Sequence, residues 1–231
     1  MKSNERVIYG LLITIAIFVV STFVGSRLNF DIEFIPHSFV THSLMLILSI
    51  IMISLLRKHV NYRISIPQFK KILKPIIFGI LATIVVNIFM TIITTMLGRE
   101  IETHYALKEM SPLQVFLFVF IYASIAEEIL FRGFLMNILK PLNSKGVKIL
   151  KRNISVPVII SGSLFGLAHL ILLTTGAGGF FLFRIVIFTT VLGVIAGYYQ
   201  EKYNNNIFSI IVHMSGNLMS VIGAFLMSAE I

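Results

Sequence analysis

The chain has 231 residues, of which 57% are hydrophobic and only 13% charged, and its formal net charge is +9. So apolar a composition, with a mean hydropathy of +0.94, excludes a monomeric water-soluble globule and points to a membrane protein. The absence of cysteine removes disulfides, thiolate zinc sites and a cysteine nucleophile together.

Apolar runs of bilayer-crossing length fall near residues 7–25, 40–56, 75–97, 113–139, 155–174, 180–200 and 207–228. They predict an all-α fold, a polytopic transmembrane helix bundle of about seven to eight spans in the cell membrane. The first run, Val7 to Val24, is followed by no small-residue cleavage pattern and by further spans, so it is expected to be a retained anchor. The fourth run is roughly 40 Å long at about 1.5 Å per residue. Its end beyond Arg132 is therefore expected to protrude into or past the membrane interface.

Charge sets the expected orientation. The segments before span one and after spans two, four and six carry Lys2, Arg6, Arg57, Lys58, Arg63, Lys70, Lys71, Lys74, Lys140, Lys145, Lys148, Lys151, Arg152 and Lys202. The other side carries Arg27, Arg99 and Lys108 beside Asp31, Glu33, Glu100, Glu102, Glu109 and Glu230. The positive-inside rule then predicts a cytoplasmic N-terminus and an external C-terminus. Basic residues scattered over separate membrane-flanking loops give a nucleic-acid partner no support, whereas they suit anionic lipid heads. In the absence of Trp, Tyr198, Tyr199 and Tyr203 are the expected interfacial belt. No internal repeat is visible, which disfavours an inverted-repeat transporter.

Candidate chemistry begins in the fourth span, with Tyr122 to Leu135, YASIAEEILFRGFL. Ionisable residues at bilayer depth are expensive, roughly 2.5 to 3.5 kcal/mol each on insertion scales, so they face a cavity, pair, or do chemistry. Glu128 and Arg132 are four apart on one helical face and can pair, while Glu127 points about 100° away and is left free to exchange a proton. The fifth span carries LFGLAH, ending at His169, and the seventh carries HMSGN, His213 to Asn217. Glu127 and His169 both lie roughly 18 to 21 Å from the cytoplasmic end, and His213 and Asn217 roughly 9 to 15 Å. Gly162, Gly166 and Gly216 beside them would permit close helix approach. A water between Glu127 and His169 could attack a peptide carbonyl while His213 and Asn217 donate to the oxyanion. A zinc reading stays open, with Glu127, His169 and His213 as ligands, although there is no HExxH. Ser124, Ser161, Ser163 and Ser215 lie in no GxSxG and are expected to serve packing.

Each group also has a bland reading. Glu128 and Arg132 suit a structural ion pair, a single intramembrane histidine often bridges helices, and Asn217 alone would be interhelical glue. Only joint occurrence at matching depth favours catalysis. His37, His42, His59 and His104 fall in loops or at span ends and are expected to be solvated, and Arg184 to snorkel.

AEEILFRGFL, LFGLAH and HMSGN together resemble the three motifs, EExxxR, FxxxH and HxxxN, of the CPBP family of intramembrane proteases, also called the Abi or CAAX-protease family. The resemblance spans roughly Leu113 to Met227 and divides the chain into N-terminal helices, 1–110, and a protease core, 111–231. It implies Glu127 and His169 as the water-activating pair, His213 and Asn217 as the oxyanion site, and Glu128, Arg132 and Phe165 as shaping residues. It further implies a membrane-embedded or lipidated peptide or protein as substrate. Eukaryotic and archaeal members trim prenylated CaaX proteins, and bacterial relatives are linked to peptide processing, bacteriocin immunity and sensor regulation. A non-catalytic scaffold of the immunity or sensor-regulating kind is therefore the alternative. The family has been catalogued as metal-dependent, but the glutamate-and-water scheme needs no cofactor and is the one expected.

Overall fold

A computed structural model describes residues 2–28, 30, 32–99, 109–149 and 151–229. Asp31, Glu100, Glu102, Lys108 and Glu230, assigned above to the outer face, and His104, expected to be solvated, lie outside the described residues. Among the described residues seven helices are long and apolar enough to cross a membrane, so the protein is an all-α polytopic bundle. They are α1 (Ser3–Gly25), α2 (Ser38–Leu55), α3 (Phe69–Met96), α4 (Pro112–Met136), α5 (Val156–Ala168, extended by a tighter turn over His169–Thr175), α6 (Gly179–Tyr203) and α7 (Ile207–Ala229). Helix α3 starts at Phe69 rather than near residue 75, so Lys70, Lys71 and Lys74 ride on its first turns instead of in a loop.

Helix α4 opens with a capping box, in which Ser111 accepts from the Gln114 amide N–H and the Gln114 side chain reaches back to the Ser111 N–H. Its backbone is π-helical over Val115–Ala123 and Ile129–Met136, with one α-helical segment, Ser124–Glu128, between them. π turns are uncommon and gather at functional sites, and the segment they flank carries both glutamates.

Beyond Arg132 the end of α4 is packed inside the bundle. Phe134, Leu135, Ile138 and Leu139 are fully buried, joined in one core with Ile17 of α1, Met45 of α2 and Phe165 of α5. Helices α1 and α2 wrap this end, so protein covers the apolar side chains there. On the far side α7 runs antiparallel to α4: Val221 and Ala224 meet Val115, Asn217 meets Ser124, and His213 meets Glu128. Close approach rests on glycines as expected. A Cβ at Gly166 would stand 2.8 Å from the Val186 carbonyl oxygen, and one at Gly79 would stand 2.5 Å from that of Val212. Gly166 thereby seats α5 on α6, and Gly79 seats α3 on α7.

Two features depart from the sequence-based expectation. Tyr199 is 1% exposed, and its ring lies against Phe78, Tyr198 and Tyr203. It is core, not belt. Between α4 and α5 the chain forms an antiparallel hairpin, β1 (Gly146–Ile149) and β2 (Arg152–Ser155), where the composition suggests only a basic loop.

The charge asymmetry yields the first prediction. A periplasmic-type reporter fused at the C-terminus is expected to be active, and a cytoplasmic-type reporter inserted between α2 and α3 likewise. The reverse pattern would refute the assigned orientation.

Candidate active site

The site is assembled on the α-helical segment of α4. Arg132 Nη1 donates to Glu128 Oε1 at 2.8 Å, and both side chains are completely buried. The same oxygen receives His213 Nδ1–H at 3.0 Å, and the Asn206 amide donates to the Glu128 backbone carbonyl at 3.4 Å. The Arg132 guanidinium lies 4.6 Å above the Phe165 ring. Gly193 of α6 makes room for it, since a Cβ there would come within 2.5 Å of Nη2. Glu128 is thus held by a guanidinium and an imidazole, the first of them as its i, i+4 spacing to Arg132 anticipates.

Glu127 is the more open of the two carboxylates. Its side chain keeps 16% exposure, with Oε1 3.4 Å from His42 Nε2 and Oε2 3.7 Å from His213 Nε2. His213 therefore bridges the two glutamates through its two ring nitrogens. His169 donates Nδ1–H to the Phe165 carbonyl at 2.9 Å, which leaves its Nε2 available as an acceptor. It makes no direct hydrogen bond to Glu127, but the two are near enough for their charges to interact. The Phe165 ring, 1% exposed, wedges between His169 and His213 at centroid distances of 5.1 and 5.2 Å.

Glu127, Glu128, Arg132, Phe165, His169 and His213 are thus brought together. Asn217 stands apart: its amide donates to Ser124 Oγ at 3.2 Å and to the Val119 carbonyl at 3.4 Å. Both polar groups of α7 thus face α4, His213 at Glu128 and the Asn217 amide one turn away at Ser124. Because α7 runs antiparallel to α4, a step of four residues along α7 moves the contact back about one turn on α4, from Glu128 to Ser124.

His42 is the residue that sequence reasoning misplaces. Expected in solvent, it sits instead on α2 against Glu127, its side chain 15% exposed. Its neighbours fasten α2 to α4: Ser43 Oγ and Tyr122 OH share a 2.7 Å hydrogen bond, and Phe39 stacks on Tyr122 at 5.2 Å. A signal is present, since His42 shares a helical face with the buried Met45 and Ser49. Asn206 also escapes sequence reasoning, since it lies just before α7, outside any motif.

The fit of a metal can be tested on these residues. Nδ1 of both His169 and His213 is already engaged, and among the described residues no group of three or more His, Cys, Asp or Glu is arranged to hold a metal ion. A cleft of about 330 Å³ between the α1–α2 connection and the start of α4 is lined by Glu33, His37 and Gln114 among others and contains none of the site residues.

A family model, type II CAAX prenyl endopeptidase Rce1-like, matches residues 109–219. The match takes in all three motifs and leaves His42 outside it. Comparison with curated proteins and with solved structures returns no match. The matched segment supplies the paired glutamates, the arginine and both motif histidines of this site, and over residues 109–219 the chain matches the CPBP, or Abi/CAAX-protease, family of intramembrane proteases.

Proposed function

We propose that the protein is an intramembrane endopeptidase that hydrolyses a peptide bond of a membrane-embedded or lipidated protein, with Glu127 as the base that activates water. The observation that carries this reading is the contrast between the two adjacent glutamates. Glu128 is sealed and neutralised by Arg132 and His213, whereas Glu127 is partly open and faces His42 and His213. Glu127 takes a proton from water, the resulting hydroxide oxygen bonds to the scissile carbonyl carbon, and the carbonyl π electrons move onto oxygen. His169, through its uncommitted Nε2, orients the same water. The tetrahedral oxyanion is held by Nε2–H of doubly protonated His213, whose Nδ1–H stays on Glu128, and by the Asn217 amide, whose bonds at 3.2 and 3.4 Å are long enough to exchange for a better acceptor. Collapse breaks the C–N bond, and the proton on Glu127 passes to the departing amine. His42, donating Nε2–H to Oε1, fixes the carboxylate and leaves Oε2 toward the substrate.

This scheme assigns Asn217 one of two oxyanion donors. Asn217→Ala is expected to reduce turnover on the order of 10²-fold to 10³-fold, checked by initial rates at saturating substrate. A loss below threefold would remove it from the oxyanion site.

The reading itself is tested by incubating purified protein in bilayers with membrane-spanning peptides and with prenylated peptides ending in a CaaX sequence, products being identified by mass spectrometry. Specific cleavage by wild type and none by Glu127→Ala is expected. Absence of cleavage across both panels, with binding retained, would favour the non-catalytic scaffold. Metal stripping separates chemistries: full activity after chelation, with no stoichiometric zinc, is expected. Activity that disappears and returns with one bound zinc would recast Glu127, His169 and His213 as ligands.

A further inference from the structure

The hairpin between α4 and α5 has no role in the chemistry above, yet its pattern is specific. Cross-strand partners share a face, so the register places Val147 with Ile154 and Ile149 with Arg152 on one side, and Gly146 with Ser155 and Lys148 with Asn153 on the other. The first side carries three aliphatic residues and Arg152, and its β2 part turns toward the helices. Ile154 is buried against Met136 and Val158, and the Arg152 guanidinium lies 5.0 Å over Phe78 and 5.2 Å over Tyr198. Val147 and Ile149, on the same face but on the outer strand, are each 53% exposed.

Charge identifies what covers them. Lys145, Lys148, Lys151 and Arg152 fall within eight residues, and no acidic residue occurs between Lys140 and Ser155. Glu201 of α6 accepts from the Ser155 hydroxyl at the base of the hairpin. Exposed aliphatics on one face with a uniformly basic surround, at the end of two transmembrane helices, is the strand counterpart of an amphipathic interfacial helix. We propose that the hairpin 146–155 docks on anionic lipid head groups, with Val147 and Ile149 entering the boundary between head groups and acyl chains and Lys145, Lys148 and Lys151 meeting lipid phosphates. The hairpin is firmly attached to the bundle: Val156 N–H donates to the Lys145 carbonyl at 2.9 Å, and Ser155 Oγ accepts from the Val158 N–H at 3.4 Å. Docking therefore fixes the depth of α4 and α5, which carry Glu127 and His169, relative to the lipid surface.

Because the chain has no cysteine, single probes report cleanly. Val147→Cys and, as the opposite-face control, Asn153→Cys are labelled with an environment-sensitive fluorophore in nanodiscs of phosphatidylcholine alone or mixed with phosphatidylglycerol, and quenched with doxyl-labelled lipids. Ile149→Cys serves as a second inner-face probe if Val147→Cys fails to fold, folding being checked by circular dichroism. The expected result is severalfold stronger quenching at 147 or 149 than at 153, increased by phosphatidylglycerol and no longer increased in Lys145→Gln/Lys148→Gln/Lys151→Gln protein. Equal, weak quenching on both faces would overturn the proposal, as would quenching indifferent to lipid charge. A probe that responds to added substrate peptide but not to lipid would identify the hairpin as a peptide-docking edge and likewise overturn it. None of these readouts depends on peptidase activity.

Discussion

Glu127→Gln protein is expected to fold, to bind its substrate and to turn over roughly 10²-fold to 10⁴-fold more slowly than wild type. The amide keeps the shape and can still accept from His42 Nε2–H through its oxygen, at the position where Oε1 now stands 3.4 Å from the ring. It cannot receive the proton of an attacking water. Because the two side chains are similar in volume, the effect should fall on kcat with little change in apparent affinity. Single-turnover cleavage in bilayers, beside photocrosslinking of the same peptide, separates the two. Turnover within tenfold of wild type would mean that another group removes the proton, and His169, with its uncommitted Nε2, would become the candidate.

Much of this site is legible in the sequence because hydrocarbon is an intolerant solvent. Glu127, Glu128 and Arg132 stand out against their apolar neighbours, and helical spacing alone pairs Glu128 with Arg132. The seven spans are readable for the same reason. What sequence does not encode locally is which neighbour a helical face meets, since that depends on the rotation and tilt of two helices. His42 is lost this way: its distance along the chain from Glu127, 85 positions, carries no periodic signal. Asn217 does share the face of His213, yet the antiparallel course of α7 sets it against Ser124 rather than the glutamates. The hairpin is hidden because its exposed basic residues dominate the composition, and the alternation of Val147 and Ile149 with Lys148 is too short to declare a strand.

The Glu128 and Arg132 pair should show its importance in stability more than in chemistry. Both side chains are fully buried, and their 2.8 Å bond is the first neutralising contact of Glu128. Replacing Arg132 by Ala would leave a carboxylate in a dry interior with only His213 at 3.0 Å, while also emptying the space above Phe165. Breaking a buried pair from one side typically destabilises by about 3 to 5 kcal/mol, a large fraction of the roughly 5 to 15 kcal/mol that holds a domain folded. Arg132→Ala is therefore expected to lose most of its folded yield and to unfold at markedly lower temperature in detergent. Removing both charges together, as Glu128→Gln with Arg132→Met, is expected to recover much of that loss, because no isolated charge remains buried. Thermal unfolding monitored by circular dichroism checks both variants. If Arg132→Ala proves as stable as wild type but inactive, the arginine acts on the substrate or on the reacting atoms, and the structural assignment of the pair is wrong.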